Sequence, residues 1–144
     1  WEILIAAMND TSSTLYQNIS SGIYHWIGAG SGVRGVTFNF AVTKTYGRAE
    51  LYIDHGNVDD NQFVFDSLFQ QKEEIENNFG GPLEWDRLDD KRACRIKSET
   101  LGDIFDKEKW DDMIKFMVDS MVSLERSIKA PLKVISASLR NRKS

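Results

Sequence analysis

Two neighbouring stretches in the first half of the sequence alternate strictly between apolar and polar side chains. Residues 36–43 read VTFNFAVT and residues 48–54 read RAELYID, with a short connection between them. A period of two places alternate side chains on opposite faces, so each stretch predicts a half-buried strand. Because so short a connection brings the two strands side by side, we predict an antiparallel hairpin. Its polar face would display Asn39, Glu50, Tyr52 and Asp54.

A helix is predicted after this hairpin. Asp59 or Asp60 can cap its first turn, because a carboxylate accepts hydrogen bonds from the unpaired N–H groups there. Apolar residues, among them Phe65 and Phe69, then recur at intervals of three and four. The helix should end before 80–82, Gly-Gly-Pro, which supply a left-handed cap and a residue that cannot continue a helix.

The last long helix is predicted to begin at Asp103 or Asp106. It carries an apolar stripe from Trp110 onward. Proline has no backbone N–H and disrupts a helix interior, so Pro131 should end or kink this helix. Residues 132–144 would then form a separate basic tail.

Shorter elements complete the predicted order. The N-terminal 1–8 segment has helical spacing, 23–27 reads as a strand followed by a glycine-rich turn, and 83–85 and 93–97 read as two further strands. The order is helix, three strands, helix, two strands, helix. A sheet with one apolar face needs helices to cover that face. We therefore predict an α+β fold with a mostly antiparallel sheet and helices packed on one face.

Length and composition predict a single domain over residues 1–144. A chain of 144 residues with 41% hydrophobic and 28% charged residues is typical of a folded globular protein. The single cysteine excludes an internal disulfide framework, and no apolar run is long enough to span a membrane. The first residue is Trp1 rather than Met, so we expect the chain to be a fragment of a longer protein.

Charges are unevenly distributed along the sequence. Residues 54–90 hold eleven acidic and two basic side chains, whereas residues 126–144 hold six basic side chains and no acidic one. A shorter basic segment, 91–97, lies between them. The formal net charge is −4, but segregated charges still allow a local contact with nucleic acid.

The sequence carries no clear catalytic motif. The order of elements is similar to that of PD-(D/E)XK nucleases, in which an acid on one strand and an acid-x-Lys on the next hold a divalent metal. The central hairpin has no Lys two residues after Glu50 or Asp54, and the one match, 89–91, falls in a predicted turn. Cys94 lies mid-strand, where a lone cysteine usually behaves as a small hydrophobe. We therefore expect no catalytic residue, cofactor or metal, and a protein that is more plausibly not an enzyme.

The sequence from residue 47 to residue 97 resembles a known prokaryotic family, domain-of-unknown-function family 4268. The matching blocks are 48–54 (RAELYID), 65–66 (FD), 72–76 (KEEIE), 81–85 (GPLEW) and 87–96 (RLDDKRACRI). The resemblance extends to the loop at 26–32 and to the helix containing Trp110. The block from 83 to 96 is the most distinctive part.

The resemblance implies a role beside another domain, because the family often follows a part that looks like a PD-(D/E)XK nuclease. It implies no catalytic residues, since the family defines none. We expect a cytoplasmic, non-catalytic accessory module that binds a partner for an upstream nuclease-like domain, with nucleic acid or a second copy as candidate partners. The alternatives are a divergent nuclease with a degenerate site and a dimerisation or protein-interaction domain.

The distinctive block also contains the candidate contact residues. A structural interpretation pairs Glu84 with Arg95 across two strands, which would fix the register of their hairpin. A functional interpretation makes the block a basic strip for phosphate, with an aromatic side chain available for stacking. The candidate nucleic-acid or partner contacts are Trp85, Arg87, Lys91, Arg95 and Lys97.

Overall fold

The fold is one antiparallel sheet with helices against one of its faces, in a computed structural model that describes residues 1–22, 24–88 and 91–143. The helices are α1 (Glu2–Asn9), α2 (Val58–Phe69), α3 (Lys72–Phe79) and α4 (Trp110–Lys143). The strands are β1 (Trp26–Gly30), β2 (Val36–Val42), β3 (Tyr46–Ile53), β4 (Glu84–Asp86) and β5 (Cys94–Leu101). This confirms the predicted α+β class.

The sheet runs in the order β1-β2-β3-β5-β4, and every neighbouring pair is antiparallel. The predicted central hairpin is β2–β3, in which Asn39 lies opposite Glu50. The pairing of β3 with β5 then places Lys97 on the other side of Glu50. The two strands predicted near the distinctive block are β4 and β5, and β5 continues to Leu101.

The hydrophobic core lies between the sheet and the helices. On the sheet side, Phe38, Leu51 and Ile96 are fully buried. The facing stripe of α4 includes Met121 and Leu124, which are also fully buried. These positions are those that the period of two in the strands and the helical spacing in α4 predict as apolar.

Helix α4 does not end at Pro131, which corrects the prediction of a break and of a separate tail structure there. The helix continues to Lys143 with the proline inside it. Leu132, Ile135 and Leu139 stay buried in the same core, at 0%, 5% and 6% exposure. Burial of three large apolar side chains offsets the hydrogen bond that the proline cannot donate.

The helix predicted before residue 80 is two helices, and its cap is not an aspartate. Asn57 caps α2, since its Oδ1 accepts from the Asp60 N–H at 2.8 Å while its Nδ2 donates to the Asp60 carboxylate at 2.8 Å. Gln70 and Gln71 separate α2 from α3. Neither glycine nor proline marks this break in the sequence. Gly80 ends α3 in the left-handed conformation, as predicted.

Strand β1 begins later than predicted and includes part of the glycine segment assigned to a turn. Of the predicted strand, Ile23 lies outside the described residues, as do Asp89 and Asp90 of the predicted turn before β5. Position 28 of β1 requires a glycine, because a Cβ there would overlap the Asn39 side chain on β2. Its lack of a side chain therefore reflects a close approach between strands.

The helical stripes are not uniformly buried. Phe69 is 46% exposed, and Trp110 is half-buried with its indole N–H donating to the Ile104 carbonyl oxygen at 2.8 Å. Leu124, in contrast, has no exposed surface.

We expect Leu124→Ala to lower the free energy of unfolding by about 2–5 kcal/mol, because it empties a fully buried site on α4. Phe69→Ala should lower it less, since that ring already keeps almost half of its surface in contact with solvent. Urea unfolding of both variants beside the wild type measures the difference. Equal losses, or a loss below about 1 kcal/mol for Leu124→Ala, would contradict this assignment of the core.

Candidate functional site

The face of the sheet opposite the helices forms an open groove with a volume of about 720 Å³. We call it the outer groove. Alternation along β2 and β3 sends Asn39, Glu50 and Tyr52 to this face, as the sequence predicts. The remaining lining residues are His25, Trp26, Gly28, Ala29, Gly30, Gly35, Thr37, Ala41, Val42, Thr43, Tyr46, Arg48, Asp54 and Arg95.

Glu50 is the central charged group of the outer groove and is only 3% exposed. Arg95 Nε lies 2.5 Å from Glu50 Oε2 in an ion pair, without a hydrogen bond between these two atoms. Arg48 Nε donates to Glu50 Oε1 at 3.2 Å. A buried carboxylate is costly unless it is paired, so the two guanidinium groups make this burial possible.

Each of these arginines also contacts a tyrosine ring. The Arg48 guanidinium carbon lies 4.9 Å from the centroid of Tyr46, and that of Arg95 lies 5.6 Å from the centroid of Tyr52. These are cation–π distances. Trp26, on the edge strand β1, is a third aromatic lining residue and is 58% exposed. The outer groove thus presents rings and guanidinium groups beside one another.

Asp54 marks one end of the outer groove. Its carboxylate accepts from Arg92 Nη2 at 2.7 Å and from the Gly56 N–H at 3.0 Å. The hydrogen bond from Arg92 lowers the pKa of Asp54, and the bond from Gly56 lowers it further, although burial opposes them. Asn61, fully buried, donates to the Arg92 carbonyl oxygen at 2.9 Å and thereby holds this end of the sheet to α2.

The predicted pairing of Glu84 with Arg95 is wrong, because the register of the two strands is shifted by two residues from the predicted one. In the β4–β5 register Glu84 lies opposite Lys97, and Asp86 lies opposite Arg95. Lys97 Nζ lies 3.6 Å from Glu84, 3.3 Å from Asp86 and 3.0 Å from Glu99. Burial lowers the pKa of Lys97, but its bond with Glu99 and the charge of Asp86 outweigh burial, so the net shift is upward.

Trp85 and Arg87 do not join a strip with Arg95 and Lys97. The Trp85 ring packs on the helix side of the sheet against Phe65 and Phe69, at centroid distances of 6.0 and 5.5 Å. The reason is the period of two, which sends Trp85 to the face opposite that of Glu84 and Asp86.

Arg87 is held by α2. Its Nε and Nη2 donate to the two carboxylate oxygens of Asp66 at 2.9 and 3.0 Å, a bidentate pair. Its side chain is therefore committed to joining the segment after β4 to the helix layer. Of the five predicted contact residues, only Arg95 lines the outer groove.

Lys91 precedes β5 and its side chain is exposed. Because β5 begins at Cys94, strand alternation does not decide the directions of Lys91 and Arg92. Arg92 reaches the end of the outer groove through Asp54. Arg92 therefore lies at the rim of the groove, and Lys91 is its exposed neighbour in the sequence.

The prediction did not include Trp26, Tyr46 and Arg48, which line the outer groove. Tyr46 and Arg48 lie on β3, whose outer-face positions follow from the alternation that identified Glu50. The signal was therefore present for Arg48 and Tyr46, which lie two and four positions before Glu50. Trp26 gave no such signal, because glycines on β1 interrupt any alternating pattern.

Comparison with known proteins assigns the chain to a family. The family model described as "Domain of unknown function (DUF4268)" matches residues 1–132. The chain belongs to this family. No curated protein and no solved structure matches it.

Two further properties concern the described part of the chain. None of its helices combines the length and the apolar character needed to cross a membrane. Within it, no three His, Cys, Asp or Glu side chains come together in a group that could hold a metal ion.

We expect Glu50→Gln to destabilise the fold by about 3–5 kcal/mol, because it leaves the half-buried Arg95 guanidinium without its carboxylate and Arg48 with Glu99 alone. Glu74→Gln, on the exposed surface of α3, is the matched control and should change stability by less than about 0.5 kcal/mol. Denaturant unfolding at neutral pH measures both. Equal stabilities for the two variants would show that the ion pairs do not stabilise the fold.

A second prediction concerns Glu76 on α3, whose carboxylate accepts from the Leu83 N–H at 2.9 Å and from Trp85 Nε1 at 3.0 Å. Burial raises the pKa of Glu76, but these two bonds outweigh burial and the net shift is downward from 4.5. The stabilisation is therefore complete above the unfolded-state pKa and is lost as pH falls through the lower folded-state value. We expect the stability gap between wild type and Glu76→Ala to be largest at neutral pH and to shrink in acid. A gap that is constant from neutral to acidic pH would contradict this.

Proposed function

We propose that this domain is a non-catalytic binding module that holds single-stranded nucleic acid in its outer groove, in support of a nuclease-like domain of the same protein. The observation that carries the proposal is the pair of arginine–tyrosine stacks on either side of Glu50. Proteins that bind single strands use such rings and guanidinium planes as surfaces on which unpaired bases stack.

The charge of the outer groove favours bases over phosphates as its occupants. Its two arginines, Arg48 and Arg95, both pair with the carboxylate of Glu50, and Arg48 also pairs with Glu99. A phosphate would have to displace Glu50 from both guanidinium groups, whereas a neutral planar base leaves these ion pairs intact. The open space around the Cβ position of Gly30 also lets a flat group approach the sheet.

In this proposal, the phosphate groups of the bound strand contact basic side chains at the rim of the groove. Lys91 is exposed, and the Arg92 side chain is 59% exposed in its pair with Asp54. Exposed ion pairs contribute little to stability, so Arg92 can exchange Asp54 for a phosphate at small cost. Lys97 is less suited, because three carboxylates already surround it.

A module of this kind suits a neighbour that cuts nucleic acid. Stacking is tolerant of sequence, since every base has a flat face, so the domain would hold a strand without selecting it. The link to a nuclease-like domain rests on the family resemblance.

We expect Tyr52→Ala to weaken binding of a labelled single-stranded oligonucleotide by about 1–3 kcal/mol, the usual effect of removing one stacking ring. Tyr52→Phe keeps the ring and should bind like the wild type. Tyr24→Ala, which removes a 68% exposed ring outside the outer groove, is the control for unspecific loss of aromatic surface. Fluorescence anisotropy at low and physiological salt measures all four proteins with DNA and RNA.

The same titrations separate the alternatives. If no oligonucleotide binds even at low salt, or if Tyr52→Ala binds as tightly as Tyr52→Phe, the outer groove does not hold nucleic acid and a protein-interaction role replaces this proposal. If the wild type cuts the oligonucleotide with Mg²⁺ or Mn²⁺, and Glu50→Gln or Asp54→Asn abolishes cutting while remaining folded, the domain is a divergent nuclease.

A further inference from the structure

The two edges of the sheet are protected differently. Edge strand β4 is three residues long and carries Glu84 and Asp86, whose charges discourage another strand from pairing with it. Edge strand β1 reads WIGAG, with no charged residue and no proline. Among the described helices and strands, β1 packs extensively against β2 alone. An unguarded edge of this kind is a template for another strand.

The hydrogen bonds of β1 show which of its peptide groups face outward. The Val42 N–H donates to the His25 carbonyl oxygen at 2.9 Å, and the Ser31 N–H donates to the Val36 carbonyl oxygen at 3.3 Å. In an antiparallel pair, bonded residues alternate with residues that point away from the partner strand. The peptide groups of Trp26, Gly28 and Gly30 therefore point away from β2, and none of the described residues forms a hydrogen bond with them.

We infer that β1 pairs with β1 of a second copy of this chain, in antiparallel register about a two-fold axis at Gly28. In this register Trp26 of each copy lies opposite Gly30 of the other, and all three outward-facing peptide groups of each strand find partners. The pairing forms about six hydrogen bonds between the copies. It is isologous, because one surface meets itself.

The side chains of β1 complement this register. Trp26 is 58% exposed on the outer face, and its ring lies over Gly28, 3.6 Å from the position of a Cβ there. Gly30 has open space around its Cβ position. A tryptophan opposite a glycine can cover the bare backbone of the neighbouring strand, which buries the indole ring and shields the new hydrogen bonds from water. No charge on either strand opposes the contact.

A consequence is one continuous sheet of two copies, with the two outer grooves side by side on the same face. Because five-residue strands bury a small area, the dimer should be weak and dependent on concentration. The inference is independent of what the outer groove binds.

The experiment compares the wild type with Gly30→Pro and Gly30→Ala by sedimentation equilibrium over a wide range of concentration. Gly30→Pro removes an N–H that the β1–β2 pairing does not use, so it should raise the dimer dissociation constant at least about tenfold. Gly30→Ala keeps that N–H and should dimerise within a few-fold of the wild type. Thermal melts check that each variant is folded.

Amide hydrogen exchange on the wild type provides a readout that needs no variant. The amides of Trp26, Gly28 and Gly30 should exchange more slowly as concentration rises, and those of β4 should not. The inference is overturned if the wild type stays monomeric at every concentration, if folded Gly30→Pro dimerises like the wild type, or if a dimer forms without protecting these three amides.

Discussion

The Glu50 carboxylate is buried on the face of the sheet that no described helix covers, and this is possible only because two guanidinium groups meet there. Arg48 comes from the same strand, but Arg95 comes from β5. The ion pair therefore joins β3 to β5, which are neighbours in the sheet although a long segment separates them in the sequence. It also holds the arginines against Tyr46 and Tyr52, so the aromatic surface of the outer groove depends on the same carboxylate.

The alternation of residues 36–54 was sufficient to predict the central hairpin and the polar face with Asn39, Glu50, Tyr52 and Asp54. Local patterns could not show which strand lies beyond β3, and so the contact between Glu50 and Arg95 was missed. The period of two also predicts that Trp85 points to the opposite face. The predicted basic strip did not take this into account, because it grouped residues by their distance in the sequence. The helix end predicted at Pro131 was wrong because the unfavourable effect of a proline inside a helix is outweighed by the burial of Leu132, Ile135 and Leu139.

The acidic segment 54–90 and the basic segment 91–97 are separate in the sequence but lie together in the folded protein. Asp54 is bound to Arg92, and Asp86 lies beside Lys97. Arg95 and Lys97 likewise lie beside carboxylates of other strands. A cluster of basic residues in a sequence is thus poor support for a phosphate-binding surface when an acidic segment is available to neutralise it.

The strand order β1-β2-β3-β5-β4 has a consequence for how the chain folds. Strands β1 to β3 form a meander of local contacts, and β4 and β5 form a second local pair. Residues 54–93, which include α2 and α3, lie between β3 and β5 and must be gathered into a closed loop before those two strands can pair. Loop closure costs entropy that the two local units do not incur to the same extent, so joining them should be the late and slow event that limits the folding rate.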